Sequence, residues 1–122
     1  MESLIRICWG ALAAAHAMPA LTFFRPAMAE TLYGISPQDD LGLLIVHRGA
    51  LFLAIVVASL FGMMHPASRR LAAVVVAISV LGFLWLYAGT GFPDGALRTI
   101  AIVDAIALVP LAIVSIAAWR GK

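Results

Sequence analysis

Four long apolar runs, separated by residues that stop helices, decide what this chain can fold into. They extend from Leu4 to about Phe24, from Leu41 to Met64, from Leu71 to about Ala88 and from Leu97 to Trp119. A helix rises about 1.5 Å per residue, so runs of roughly 18–24 residues reach across a hydrocarbon core of about 30 Å. Arg25-Pro26 ends the first run, His65-Pro66 the second, and Gly89-Thr90-Gly91-Phe92-Pro93-Asp94-Gly95 the third. Proline has no N–H to donate and glycine favours turns, so these stretches read as connections. A membrane barrel would show segments of about 10 residues alternating in polarity, and these runs do not alternate. The expected fold is all-α: a polytopic membrane protein, one four-helix transmembrane bundle over residues 1–122.

Composition closes the soluble alternatives. Of the 122 residues 64% are apolar and 11% are charged, whereas about a quarter of an ordinary soluble domain is charged. Eight basic and six acidic side chains are too few to cover a core built from the rest. Soluble enzymes, nucleic-acid binders and disordered tails are excluded together, and the expected surroundings are membrane lipids. Cys8 is the single cysteine, so no intrachain disulfide, CxxC redox pair or cysteine metal knuckle can form. It reads as a packing residue.

Basic residues set the expected orientation. Arg6, Arg69, Arg70, Arg120 and Lys122 fall at one end of the four runs, with Glu2 as the one acid. Arg25 and Arg98 fall at the other, with Glu30, Asp39, Asp40 and Asp94. The positive-inside rule then puts both termini in the cytoplasm, in a cell membrane of the bacterial inner-membrane type. Trp9, Trp85, Tyr87 and Trp119 lie near span ends, as interfacial aromatics do. A cleaved signal peptide is the competing reading of the first run, with Ala27-Met28-Ala29 as a cleavage-like site. The run from Ile7 to Phe24 is too long for a signal core, and Arg25 intervenes. Four retained spans are therefore expected.

Between the first two runs, Ala27-Met28-Ala29-Glu30-Thr31-Leu32-Tyr33 suits a short helix on the membrane surface, ended by Gly34. Asp39 and Asp40 then stand where span two begins, facing the positive end of its dipole. Four titratable residues lie well inside the spans: His16, His47, Arg48 and Asp104. Counting from the non-cytoplasmic ends, they come to a common depth of roughly 9–12 Å. A lone arginine or aspartate costs about 2.5–3.5 kcal/mol near the bilayer centre. An ion pair between Arg48 and Asp104 is therefore expected, with His16 or His47 hydrogen-bonded beside it. The histidines lie on different helices beside a cation, so no metal, no other cofactor and no catalytic group is expected.

Small residues mark the faces where helices come close: Gly42, Gly49, Ala54, Ala58, Ser59 and Gly62 in span two, and the alanines of span one. Pro19 and Pro110 are expected to kink spans one and four near the polar level. His65 reads as a helix-end residue and Met63-Met64 as apolar filler.

The layout of Leu32-Tyr33-Gly34 before His47-Arg48-Gly49, a small-residue third span, and Arg98 with Asp104 in the fourth resembles the DoxX-like group of small four-helix bacterial membrane proteins. That resemblance implies a four-helix membrane fold and, for some members, association with respiratory or thiol-redox membrane complexes. The absence of paired cysteines departs from the redox pattern. The function expected first is that of a non-enzymatic accessory or structural component of a membrane assembly, partnered by other membrane proteins or its own copies. Two alternatives stand beside it. One is a small proton-coupled transporter using Asp104. The other is a lipid- or quinone-binding protein with a pocket near His16, His47 and Arg48.

Overall fold

The computed structural model describes residues 1–121. Four long helices, each long and apolar enough to cross a membrane, account for most of it. These are α1 (Glu2–Phe24), α3 (Asp40–Met64), α4 (Arg69–Gly89) and α5 (Ala96–Arg120); α2 (Met28–Tyr33) is a short helix after α1. A single 3₁₀ turn, Pro66–Ser68, joins α3 to α4. The expected spans fall inside the observed helices, which run past them by no more than two residues into Glu2, Asp40, Arg69 and Arg120.

The helices form a four-sided ring. α1 packs on α3 and α5, and α4 packs on the same two, so α3 and α5 lie across a diagonal. The α1–α3 seam is the most extensive, and the glycines of α3 explain it. A side chain at Gly49 would place its Cβ 2.8 Å from the Phe23 backbone nitrogen and 3.2 Å from the Pro19 carbonyl oxygen. One at Gly62 would stand 2.8 Å from the Trp9 ring. Without Cβ atoms there, the two backbones approach closely enough for van der Waals attraction, which replaces the hydrophobic effect between helices in lipid. Trp9, Leu12, Val76, Val80 and Val114 fill the centre with Cys8, Ala72, Ala73 and Leu111 around them. α1 is the most enclosed helix: 39% of its apolar stretch is buried, against 22% for α3.

Two buried hydroxyls turn back onto their own helices. The Ser59 hydroxyl donates to the Ile55 carbonyl at 2.9 Å and the Thr22 hydroxyl to the Pro19 carbonyl at 2.7 Å. That satisfies them where no water is at hand. Pro19 and Pro110 both sit inside continuous helices. Both border the α1–α5 seam, which is looser than the α1–α3 seam and holds two hollows.

The two ends of the ring are built differently. At the end carrying both termini, Arg69 is buried although charged. Its Nε donates to the Gly62 carbonyl at 2.9 Å, Nη1 donates to Glu2 Oε2 at 3.1 Å, and Nη2 pairs with Glu2 Oε1. Arg70 donates to the Ala118 carbonyl at 3.0 Å and the Gly121 carbonyl at 3.3 Å. These two arginines fill the need of helix-end carbonyls that have no intrahelical donor. At the opposite end, α2 closes on Gly34 at φ 67°, a left-handed geometry that glycine adopts without strain. The α4–α5 loop turns through Gly91 and Phe92 at φ 81° and 57°, held by a 2.8 Å bond from the Tyr87 hydroxyl to the Pro93 carbonyl.

Candidate functional site

A cavity of about 430 Å³ lies between α1 and α5, roofed by α2, with Phe52 of α3 closing one side. Its walls are mostly apolar: Ala14, Ala15, Met18 and Pro19 from α1, Leu32 from α2, Ile100 and Val103 from α5. The polar groups in the wall are His16, Thr31, Tyr33, Thr99 and Asp104. Ala14 and Ala15 present only small side chains to this part of the α1–α5 seam, which leaves room for the hollow, and Pro19 borders it.

His16 and Asp104 come to matching depth from antiparallel helices, each eight residues from its helix end at Phe24 or Ala96, about 12 Å of helical rise. Both are buried. The His16 Nδ1 bonds the Leu12 carbonyl at 2.8 Å, while its Nε2 is enclosed and has no partner. The His16 ring lies 5.8 Å from the Phe52 ring. Among the described residues the Asp104 carboxyl makes neither an ion pair nor a side-chain hydrogen bond; the ion pairs are Glu2–Arg6, Glu2–Arg69 and Asp94–Arg98.

The expected Arg48–Asp104 ion pair is therefore not formed. Its two helices face each other across the diagonal of the ring, not along a shared seam. The Arg48 guanidinium is held instead by aromatic faces, 4.7 Å from the Phe52 ring centre and 5.8 Å from those of Tyr33 and Phe83. Ring quadrupoles attract a cation and tolerate it in apolar surroundings. His47 does not join the cavity either. It is exposed on the outside of α3, one residue and so about 100° round the helix from Arg48. Of the four polar residues expected to cluster, two share a cavity, one stands behind its Phe52–Tyr33 wall, and one faces away.

Tyr33 completes the outer wall. Burial raises its hydroxyl above the ordinary tyrosine range, against an opposing pull from Arg48, so it stays protonated and able to donate. Phe52 and Tyr33 have no polar pattern of their own in the sequence. The available signal was the spacing of Arg48 and Phe52, four apart on one helix face.

Below the cavity a second, wholly apolar hollow of about 150 Å³ continues along the same seam, lined by Ala11, Ala15, Val103, Ile106, Ala107 and Pro110. Ala15 and Val103 border both. Their rim residues Ala11, Ala14, Met18, Val103 and Ile106 are exposed on the outer surface of the bundle, the face a membrane would cover. A mostly apolar chamber with a few polar groups thus opens sideways, and a smaller apolar hollow adjoins it along the same seam, with Ala15 and Val103 in the wall of each.

Among the described residues no group of three or more His, Cys, Asp or Glu is placed to hold a metal ion. Comparison with family models, with curated proteins and with solved structures finds no match to this chain.

Proposed function

We propose that this small multi-pass membrane protein binds the polar end of a lipid or quinone-type molecule in the α1–α5 cavity. The observation that carries the reading is the adjoining pair of hollows: a chamber bearing His16, Tyr33 and Asp104, beside a smaller apolar hollow that shares Ala15 and Val103 with it. An amphipathic ligand needs that combination, a few placed polar groups within mostly apolar walls. The outward apolar faces suit lipid and a partner protein equally, so they favour neither a lone role nor an accessory one. The cavity is specific. In this reading the bundle lies with both termini in the cytoplasm, following its basic end, and the chamber faces the outer leaflet. The DoxX-like layout is compatible with it.

Native mass spectrometry of the protein released from its own membranes tests the reading. The wild-type protein is expected to retain a bound lipophilic molecule of defined mass. Ala15→Phe, which fills the junction between the two hollows, is expected to lose that molecule while keeping its helical circular dichroism. A wild-type protein that carries no such molecule, or a variant that retains it fully, overturns the proposal.

A further inference from the structure

The cavity also carries information about which chemical form of a ligand it takes, and that rests on the reading above. The Leu12 carbonyl can only accept a hydrogen bond. At 2.8 Å from it, the His16 Nδ1 must therefore carry the proton. In a neutral ring this leaves Nε2 as a lone-pair acceptor, and Nε2 is buried with no donor near it. Asp104 adds carboxyl oxygens to the same wall, which are not enclosed as Nε2 is. Native interiors rarely leave an enclosed acceptor such as Nε2 unpaired, because that costs about 1–3 kcal/mol; the other enclosed atom without a partner, Trp9 Nε1, belongs to a residue outside this cavity's wall.

We infer that the cavity selects a ligand that donates a hydrogen bond to His16 Nε2, a hydroxyl-bearing lipophile such as a quinol, over its acceptor-only counterpart such as the quinone. A carbonyl or ether oxygen placed against Nε2 would oppose its lone pair and leave both unpaired at that contact, while the Thr31, Tyr33 and Thr99 hydroxyls elsewhere in the wall donate to either member of a pair and do not discriminate. A hydroxyl on the ligand supplies the missing proton. Nε2 is enclosed in the wall, so binding in this way requires the side chains around His16 to part and admit the hydroxyl. The flat ring of a quinol has Phe52 and Tyr33 to lie against, whereas an aliphatic alcohol uses the apolar hollow alone.

Two matched probe pairs test this in nanodiscs: decyl-hydroquinone kept reduced against decyl-benzoquinone, and dodecanol against its methyl ether. The protein carries nitrogen-15 in its histidines. The donor of a pair is expected to bind at least about tenfold tighter than its acceptor-only counterpart and to shift the His16 Nε2 resonance. A preference in the ring pair alone identifies the quinol; one in both pairs identifies a hydroxyl-bearing lipid in general. His16→Phe keeps the ring beside Phe52 and is expected to bind both members of a pair equally. Equal binding of both members by the wild-type protein, or donor binding without a shift at Nε2, overturns the hydroxyl selectivity and leaves the cavity reading intact. Binding of no probe, together with no retained molecule in the mass spectra, overturns both.

Discussion

At the scale of single residues, whether a glycine matters depends on what stands opposite it. Gly49 and Gly82 both lie in apolar helices, yet a Cβ at Gly49 would press on the α1 backbone, whereas one at Gly82 meets nothing within 4 Å. Backbone cannot rotate aside as a side chain can. Gly49→Ala is therefore expected to destabilise the protein by about 1–3 kcal/mol, the usual cost of overpacking. Gly82→Ala is expected to leave it unchanged or gain up to about 1 kcal/mol from helix propensity. Reversible unfolding of both variants in one detergent measures the difference, and equal effects would contradict the close α1–α3 seam. Small residues at Gly49 and Gly62 were readable in the sequence as a contact face, whereas Gly42, read with them, packs on the Ser36-Pro37 backbone of the loop before its own helix. The fate of Arg48 was not. Charge and depth alone paired it with Asp104, because sequence shows how deep a residue lies but not which side of a ring its helix occupies. Aromatic side chains four residues away and on a neighbouring helix took the place of the carboxylate.

Between elements, the arginines of the α3–α4 turn do more than mark a membrane face. Arg69 ties the last turn of α3, through the Gly62 carbonyl, to the first turn of α1, through Glu2. Arg70 ties the start of α4 to the end of α5. Each bond is made by a guanidinium whose several donors reach more than one acceptor at once. In the sequence these residues read only as positive charge, since their partners are backbone carbonyls and a carboxylate more than 60 positions away. The two partners of Arg69 differ in weight. The Gly62 bond is buried, whereas half of the Glu2 side chain is open to solvent, where a charge pair is weak and screened. Arg69→Met is thus expected to cost about 1–3 kcal/mol by stranding the Gly62 carbonyl, and Glu2→Gln distinctly less. Added salt is expected to narrow the gap between wild type and Glu2→Gln while leaving the Arg69→Met loss in place. Unfolding midpoints at low and high ionic strength separate the two contributions. A larger loss in Glu2→Gln than in Arg69→Met would reverse the order of importance argued here.

For the whole molecule, the bundle itself was legible because length and unbroken apolarity leave a membrane chain few choices. The cavity was only half legible. Depth brought His16 and Asp104 to one level, but the void between them is bordered by alanines and prolines on two helices, and a one-dimensional pattern does not show what fails to touch. The same helices give the molecule a polarity along its axis. One end gathers both termini and the α3–α4 turn, held by Arg69 and Arg70; the other carries α2 and the loop with Asp94. Since basic residues near span ends resist translocation, the arginine-rich end is expected to face the cytoplasm. Arg69 is already consumed by internal bonds, but that does not weaken the effect, because insertion precedes final packing and the unpaired charge acts then. Single cysteines introduced into a Cys8→Ala background decide the matter. Gln38→Cys and Asp94→Cys are expected to react with a membrane-impermeant maleimide in intact cells, and Ser3→Cys and Ala67→Cys only after the membrane is opened. The reverse pattern would turn the chamber toward the cytoplasmic leaflet, and its ligand would then have to be drawn from that side. Labelling of all four sites in intact cells would mean that both orientations coexist, and that the basic residues at the two ends do not differ enough to choose between them.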